Sequence, residues 1–316
     1  MKHLFIINPK AKMLKDKIGD FAAGIRTFFS SYPQLEYDIH ITRWKRDAVG
    51  FTRRYVSMAD SLVRVYAVGG NGTLFEVVNG VQGLPNVQIA VYPMGTNNSF
   101  LYTFGREAVL RHFRSLRNLV FSHVINVDVM RIGNNFSINA SLVGVEAMGY
   151  QRGAEIYEKL PMPINFCYQS AGVLEIIKKG KNRSQDYRIE LDGKNLNGSY
   201  LSLTVANSPC YGKGLPGPFD AKIDDGLLDI YLIKDIPKLL IPRIINDYHH
   251  GLYTKWKLYI SHYTGRSLSI SSDTVMSIVF DGEVFYDTSV RYEIVPRAID
   301  FVYPGSITAA EKQNAE

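Results

Sequence analysis

Cysteine is scarce: Cys167 and Cys210 are the two among 316 residues, and no metal-type spacing relates them. This argues against a disulfide framework and against a structural zinc site, and it fits a reducing cytoplasm. The seven histidines show no metal-ligand spacing either. There is no run of about 18 apolar residues, so no segment reads as a spanning helix. The apolar run within Met1–Pro9 is too short for a signal peptide. No long basic block marks a nucleic-acid arm, and no nucleic-acid partner is expected. Internal repeats and low-complexity tracts are absent as well.

The composition that remains is that of a folded protein. Hydrophobic residues make up 46% and charged residues 21%, which argues against disorder, and the length favours two domains over one. The net charge of +6 reads either as a basic solvated surface or as attraction toward anionic lipid or nucleotide.

The first ~125 residues alternate strand and helix. Leu4–Ile7 is a short buried-strand run, and Ile18, Phe21, Ile25 and Phe28 fall at helical spacing. Tyr37–Ile41 alternates like a strand, and Ala48–Met58 reads as a helix with Phe51, Tyr55 and Met58 on one side. Leu62–Val68 is a strand, Thr73–Val81 a helix and Val87–Tyr92 a strand. This βαβα order predicts a parallel sheet with helices on both faces. Near Asn126 the pattern changes to short strands with turn signals, which predict an antiparallel sandwich or barrel. Leu268–Ile270, Val275–Phe280 and Val290–Val295 read as three separate strands of that series. Two helical insertions interrupt it, around Ala154–Lys179 and Pro237–Leu252. The pattern thus expects a parallel α/β region followed, from about Asn126, by an antiparallel β region.

Chemistry concentrates in the turns. Gly69-Gly70-Asn71-Gly72-Thr73 lies between a strand and a helix, where three glycines let backbone N–H groups converge and the helix dipole favours an anion. It reads either as a phosphate cradle or as a tight turn without a ligand. It is neither a Walker A loop, lacking Gly-Lys-Ser/Thr, nor a dinucleotide fingerprint, because Phe75 occupies the third glycine position. The next strand ends in a second small-polar turn, Pro93–Phe100, which contains Gly95 and Thr96. The first strand ends in Asn8-Pro9-Lys10-Ala11-Lys12, where both lysines could meet phosphate or simply be solvated. All three turns belong at the carboxyl edge of a parallel sheet, where ligands bind.

In this order, the turns resemble the catalytic domain of the diacylglycerol kinase superfamily, which includes bacterial lipid kinases and sphingosine and ceramide kinases. Its pattern is an early Asn-Pro, Gly-Gly-Asp-Gly-Thr with a following Glu, and Pro-x-Gly-Thr-x-Asn-Asp-Phe. Here these read Asn8-Pro9, Gly69–Thr73 with Glu76, and Pro93 through Gly95-Thr96 to Asn98-Ser99-Phe100. The second half is similar to the family too, in Asn139 with Gly144–Ala147, Ala206-Asn207 with Gly212–Gly214, Phe219–Asp229, and Phe280-Asp281-Gly282-Glu283. The resemblance implies a Rossmann-like α/β nucleotide domain over 1–126, joined by 300–316, and an antiparallel β-sandwich lipid domain over 127–299. It implies an ATP-dependent lipid kinase using Mg²⁺, with Thr42 contacting the nucleotide. It implies catalytic carboxylates at Glu283, the base, and Asp281, which would orient it or the lipid hydroxyl. It also implies a structural Mg²⁺ held by Asp225 and the carbonyls of Lys222 and Leu227. For each of these the residues alone leave a plain turn or strand edge as the alternative.

Two departures stand out: Asn71 and Ser99 replace family aspartates, removing negative charge beside the expected phosphates. They open a second reading, a catalytically impaired lipid- or nucleotide-binding protein. A soluble-substrate kinase of the NAD kinase kind is disfavoured by the C-terminal motifs. The expected partner is a lipid substrate, diacylglycerol by default, met by a cytoplasmic protein peripheral to the inner face of the membrane. The oligomeric state stays open, a homodimer included.

Overall fold

The computed structural model describes residues 1–105, 110–159, 171, 175, 183–210 and 220–304. It divides into two compact units: Met1–Val127 with the described residues from Arg297 on, and Asp128–Pro296.

The first unit is an α/β layer structure. In chain order it contains β1 (Lys2–Ile7), α1 (Ile18–Ser30), β2 (Glu36–Ile41), α2 (Asp47–Ser57), β3 (Val63–Gly69), α3 (Asn71–Val81) and β4 (Val87–Pro93). Two short helices follow, α4 (Leu110–Phe113) and α5 (Leu116–Phe121), and then β5 (Val124–Ile132). The strands pair in parallel in the order β4-β3-β1-β2, with Val68 opposite Ile7 and Tyr92. Leu4–Ile7 and Val63–Val68 are buried at every position, as expected of parallel strands covered on both faces.

Helix α2 packs through a side other than that of Phe51, Tyr55 and Met58. Its buried face is Ala48, Thr52 and Val56, whereas Met58 is 82% exposed. Close approach of α3 requires small side chains there: a Cβ on Gly80 would meet Val49 O at 3.0 Å and the Thr52 Cβ at 3.1 Å. The aromatic residues flank this contact, with Phe51 stacked on His40 at 3.6 Å.

The second unit is antiparallel and β-rich. It contains β6 (Asn135–Ser137), β7 (Ala140–Gly144), α6 (Val145–Lys159), β8 (Gln185–Leu191), β9 (Lys194–Asn195), β10 (Gly198–Tyr200), β11 (Ser202–Ala206) and β12 (Leu228–Ile233). Helix α7 (Ile241–His249) precedes β13 (Ile260–Gly265), β14 (Ser267–Phe280) and β15 (Glu283–Val302). The ladder runs β13-β12-β11-β7-β14-β15. β14 serves two ladders: Leu268–Ser271 pairs with β8, and Ile278–Phe280 pairs with β7.

The three separate strands expected over 268–295 are two long ones. A register shift between Ser271 and Met276 breaks the alternation within β14, which is why it reads as two runs. The first nine residues of β15 are exposed or half-buried on both faces and carry no period-2 signal. At its other end β15 supplies Asp300 and Phe301, paired in parallel with Gln88 and Ile89 of β4. The insertion expected at Ala154–Lys179 begins as α6, and its greater part lies outside the described residues, as do Gly212–Gly214 and Phe219.

Candidate active site

In the first unit the carboxyl edge of the sheet brings the expected turns together. Asn8 Nδ2 donates to Thr73 Oγ1 at 3.3 Å, joining the turn after β1 to the start of α3. Met13 N–H donates to Met94 O at 3.0 Å, joining the first turn to the one after β4. The Asn8 side chain also accepts from Lys10 N–H, closing the Asn8–Lys12 turn over buried Ala11. Thr42 N–H donates to Ile7 O at 2.9 Å, so Thr42 stands at the same edge. Pro9, Lys10, Lys12 and Thr96 lie on these turns and remain at least partly exposed.

The glycines of these turns have different reasons to be glycine. A Cβ on Gly69 would fall 2.2 Å from Thr73 Oγ1, and one on Gly95 only 2.4 Å from the Gly70 Cα. Gly69 is fixed by the Thr73 side chain packed on it, and Gly95 by the close approach of the Gly69–Gly70 backbone. Gly72 differs: a Cβ there would meet nothing within 4 Å, and its φ is not in the left-handed region. It sits in the first turn of α3, ahead of the first intrahelical bond, from Leu74 N–H to Gly70 O. Packing gives no reason for a bare backbone at Gly72. An anion approaching the Gly72 and Thr73 N–H groups, aided by the helix dipole, gives one.

The two departures from the family pattern touch each other. Asn71 Nδ2 donates to Ser99 Oγ at 2.9 Å, and Ser99 N–H donates to Asn71 Oδ1 at 2.8 Å. Ser99 Oγ donates in turn to Asn97 Oδ1 at 3.1 Å. The Asn71 carbonyl and the Ser99 hydroxyl, the oxygens left where the family has carboxylates, are both engaged in this neutral pair. Glu76 also acts on backbone. Its carboxylate accepts the N–H groups of Arg46 at 2.9 Å and Ala48 at 3.1 Å, capping the start of α2. Asp47 supports the same loop by accepting from Arg43 N–H and bonding the His40 ring. Burial opposes its ionisation, but these contacts prevail and hold its carboxyl below the usual value.

In the second unit, Asp281 and Gly282 form the two-residue turn between β14 and β15, with Phe280 paired to Glu283. Both have positive φ, 47° and 93°, the pattern of a type I′ hairpin turn. The alternative of a turn carrying two exposed acids is half met, because Asp281 is buried. Its Oδ2 accepts from Ile138 N–H at 2.9 Å, and its Oδ1 has no partner among the described residues. Burial pushes its carboxyl up to about 6, against the pull of the Ile138 N–H and the Ser137 hydroxyl. Asn207 sits beside it, donating to Asp128 O and Ile138 O, while its own Oδ1 lacks a partner among the described residues. Glu283 is half-exposed at the start of β15.

The turn expected to hold a cation is built around Asp225. Its Oδ1 accepts from Leu227 N–H at 3.0 Å, across Gly226 with φ 71°. Asp128, buried in β5 and unforeseen from sequence, accepts Gly226 N–H at 2.7 Å, and its own N–H donates to Ile223 O. The available signal for it was a lone carboxylate inside the apolar strand Val127–Val129. Partial burial raises the Asp225 carboxyl, and nearby Asp229 and Asp128 add to this. That electrostatic setting fits a cation held by one carboxylate with the carbonyls of Lys222 and Leu227. No group of three or more His, Cys, Asp or Glu side chains suited to a metal occurs among the described residues.

Comparison with known proteins agrees with this layout. Residues 2–132 match the diacylglycerol kinase catalytic domain, and residues 139–303 match the YegS C-terminal NAD kinase beta sandwich-like domain. The chain is 28% identical over 273 residues to a "Probable lipid kinase YegS-like" of Shewanella frigidimarina, covering 84% of each chain. The crystal structure of a diacylglycerol kinase from Bacillus anthracis superposes with a TM-score of 0.74 at 22% identity, covering 97% of this chain and 98% of that one, which establishes the shared fold. The β-sandwich match alone spans more than half of the sequence. The chain belongs to the diacylglycerol kinase family, in the form that joins the catalytic α/β domain to a YegS-type β-sandwich.

Proposed function

We propose that this protein is an ATP-dependent lipid kinase, transferring the γ-phosphoryl group of ATP to a lipid hydroxyl, with diacylglycerol as the first substrate to test. The observation that carries the reading is Gly72, the one glycine of the clustered turns whose missing side chain serves no packing purpose. ATP phosphates lie against the first turn of α3, next to Asn8–Lys12 and Gly95-Thr96, and Thr42 contacts the nucleotide. Mg²⁺ on the phosphates would screen charge during transfer, and a separate ion would fit the Asp225 turn.

The base step belongs to Glu283, the less buried of the two carboxylates of this turn. It takes the proton of the lipid hydroxyl as the lipid oxygen bonds to the γ-phosphorus and the bond to the β-bridging oxygen breaks, releasing ADP. Asp281 is a positioning residue that ties the turn to Ile138. The test is incubation with labelled ATP, Mg²⁺ and a panel comprising diacylglycerol, monoacylglycerol, a sphingoid base and a polyprenol, with NAD as the soluble competitor. Labelled lipid supports the reading. Label on NAD alone, or on nothing with folded protein, refutes it.

A second reading has its own observation. The neutral Asn71–Ser99 pair leaves the phosphate edge short of two carboxylates. A protein that binds nucleotide and lipid without transfer would give ATP affinity in the same panel and no product.

A further inference from the structure

Between β12 and β13 the chain makes an excursion, Lys234–Tyr259, that the site does not use. Among the large apolar side chains described as exposed, three are more than four-fifths exposed, and two of these are here: Leu239 at 95% and Leu258 at 82%. Isolated exposed leucines are ordinary on any surface. These two rise from a common base. Leu239 is flanked by Ile236 and Leu240, and Leu258 by Trp256 and Tyr259; all four flanking residues pack into one cluster with Ile241, Ile244 and Tyr253. Lys234 N–H donates to Tyr259 O at 2.8 Å, holding the two arms of the excursion side by side.

The charges around the tips have one sign. Lys234, Lys238, Arg243, Lys255 and Lys257 are all exposed. The two acids of the segment are occupied: Asp235 pairs with Arg183 at 2.9 Å, and buried Asp247 accepts from Trp256 Nε1 at 2.9 Å. The Arg243 guanidinium stands 5.7 Å from the Trp256 ring centre, so this aromatic already carries a cation on its outer side. The backbone at the tips is internally bonded too, with Leu240 N–H to Pro237 O and Tyr259 N–H to Trp256 O, both at 2.8 Å. Prolines at 237 and 242 remove two further donors. Apolar tips, a ring of cations and satisfied amides lower the cost of entering a headgroup layer.

We propose that Lys234–Tyr259 is the membrane-docking surface of this protein, inserting Leu239 and Leu258 into an anionic bilayer while the five cations meet lipid phosphates. The inference rests on the lipid-kinase reading only for its purpose, since a lipid substrate must be reached in a bilayer.

The test uses the full chain without ATP. Sedimentation with vesicles of phosphatidylcholine, or of phosphatidylcholine mixed with phosphatidylglycerol, is compared for the native protein, Leu239→Glu/Leu258→Glu and Lys238→Ala/Lys257→Ala. At about 1 kcal/mol per basic residue near the surface, removing the two lysines should weaken binding to anionic vesicles roughly 20–30-fold. The leucine variant should lose at least about tenfold, on both vesicle types. Native binding should weaken as salt rises. All four positions are exposed, so unchanged thermal melts are expected. Vesicle binding by the leucine variant equal to the native protein's would overturn the proposal. So would a native dimer that the leucine variant splits while vesicle binding persists, because the patch would then serve a second copy of the chain. A failed phosphorylation panel sinks the kinase reading and leaves this sedimentation result standing on its own.

Discussion

Substituting Gly72 should separate binding from stability. In Gly72→Ala or Gly72→Val the new Cβ enters open space, and the backbone there is acceptable to any L residue. The position lies within α3, where replacing glycine by alanine is worth up to about 1 kcal/mol in favour of the helix. Thermal stability should therefore hold or rise by a few degrees. ATP binding should move the other way. The side chain covers the Gly72 and Thr73 N–H groups, and hydrogen bonds to a charged partner are worth about 1.5–3 kcal/mol each. Losing two weakens ATP binding by roughly 10²–10⁴-fold. Calorimetric titration with ATP, alongside a melt of the same sample, reads both quantities. Gly95→Ala is the contrast: its Cβ would lie 2.4 Å from the Gly70 Cα, so it should lose about 1–3 kcal/mol of stability as well as binding. A folded Gly72→Val protein with ATP affinity within about threefold of the native value would refute the phosphate cradle.

Glu283→Gln should lower turnover by two to four orders of magnitude, the usual worth of general base catalysis (about 10²–10⁴-fold), while ATP affinity and melting stay close to native in the same assays. Asp281→Asn tests the buried carboxylate through pH. Its folded value of about 6 exceeds the ordinary 3.8 of an aspartate, so the folded protein keeps a proton that the unfolded chain has lost, and stability falls as pH rises through that window by up to about 3 kcal/mol. Asparagine has no such proton and keeps an oxygen for the Ile138 N–H; the variant should lose that pH dependence and melt above the native protein at pH 7. If it melts lower, the burial argument is wrong, and if its turnover falls below that of Glu283→Gln, the base is Asp281 instead.

Much of the first unit was legible because parallel strands buried on both faces leave continuous apolar runs, and Leu4–Ile7 and Val63–Val68 are such runs. Its small-polar turns were legible because glycine and small polar residues cluster directly after the strands. What stayed hidden depends on contacts between distant positions. The buried face of α2 was not legible because its packing against α3 selects Ala48 and Thr52 for their size, beside the larger Phe51 and Tyr55 that dominate a hydrophobicity reading. The continuity of β14 and β15 was invisible where their faces are both solvated or their register slips. The burial of Asp281 follows from the Ser137–Ala140 segment folding over it, which no local pattern encodes.

The Asn71–Ser99 contact changes what the two departures mean together. Taken singly, each is a lost carboxylate. In the fold they are partners across 28 residues, donating and accepting in both directions. Asn71→Asp alone keeps a partner for each oxygen, because the Ser99 hydroxyl can turn from Asn97 to donate to it. It should fold with a loss of about 1 kcal/mol, the net worth of the hydrogen bond to Asn97 that is given up. Ser99→Asp alone can accept from Asn71 Nδ2, though the site is closely packed and enlargement there costs about 1–3 kcal/mol. The double variant sets two carboxylates in contact, where both cannot ionise without a cation between them. It should therefore be less stable than the sum of the single effects in the absence of Mg²⁺, and gain more from added Mg²⁺ than the native protein, whose response is confined to the ion at the Asp225 turn. Melting curves of the four proteins with and without Mg²⁺ measure that coupling. Additive losses with no response to Mg²⁺ would mean that the pair has no bearing on metal binding, and the neutral replacement would then have to be explained without the phosphate edge.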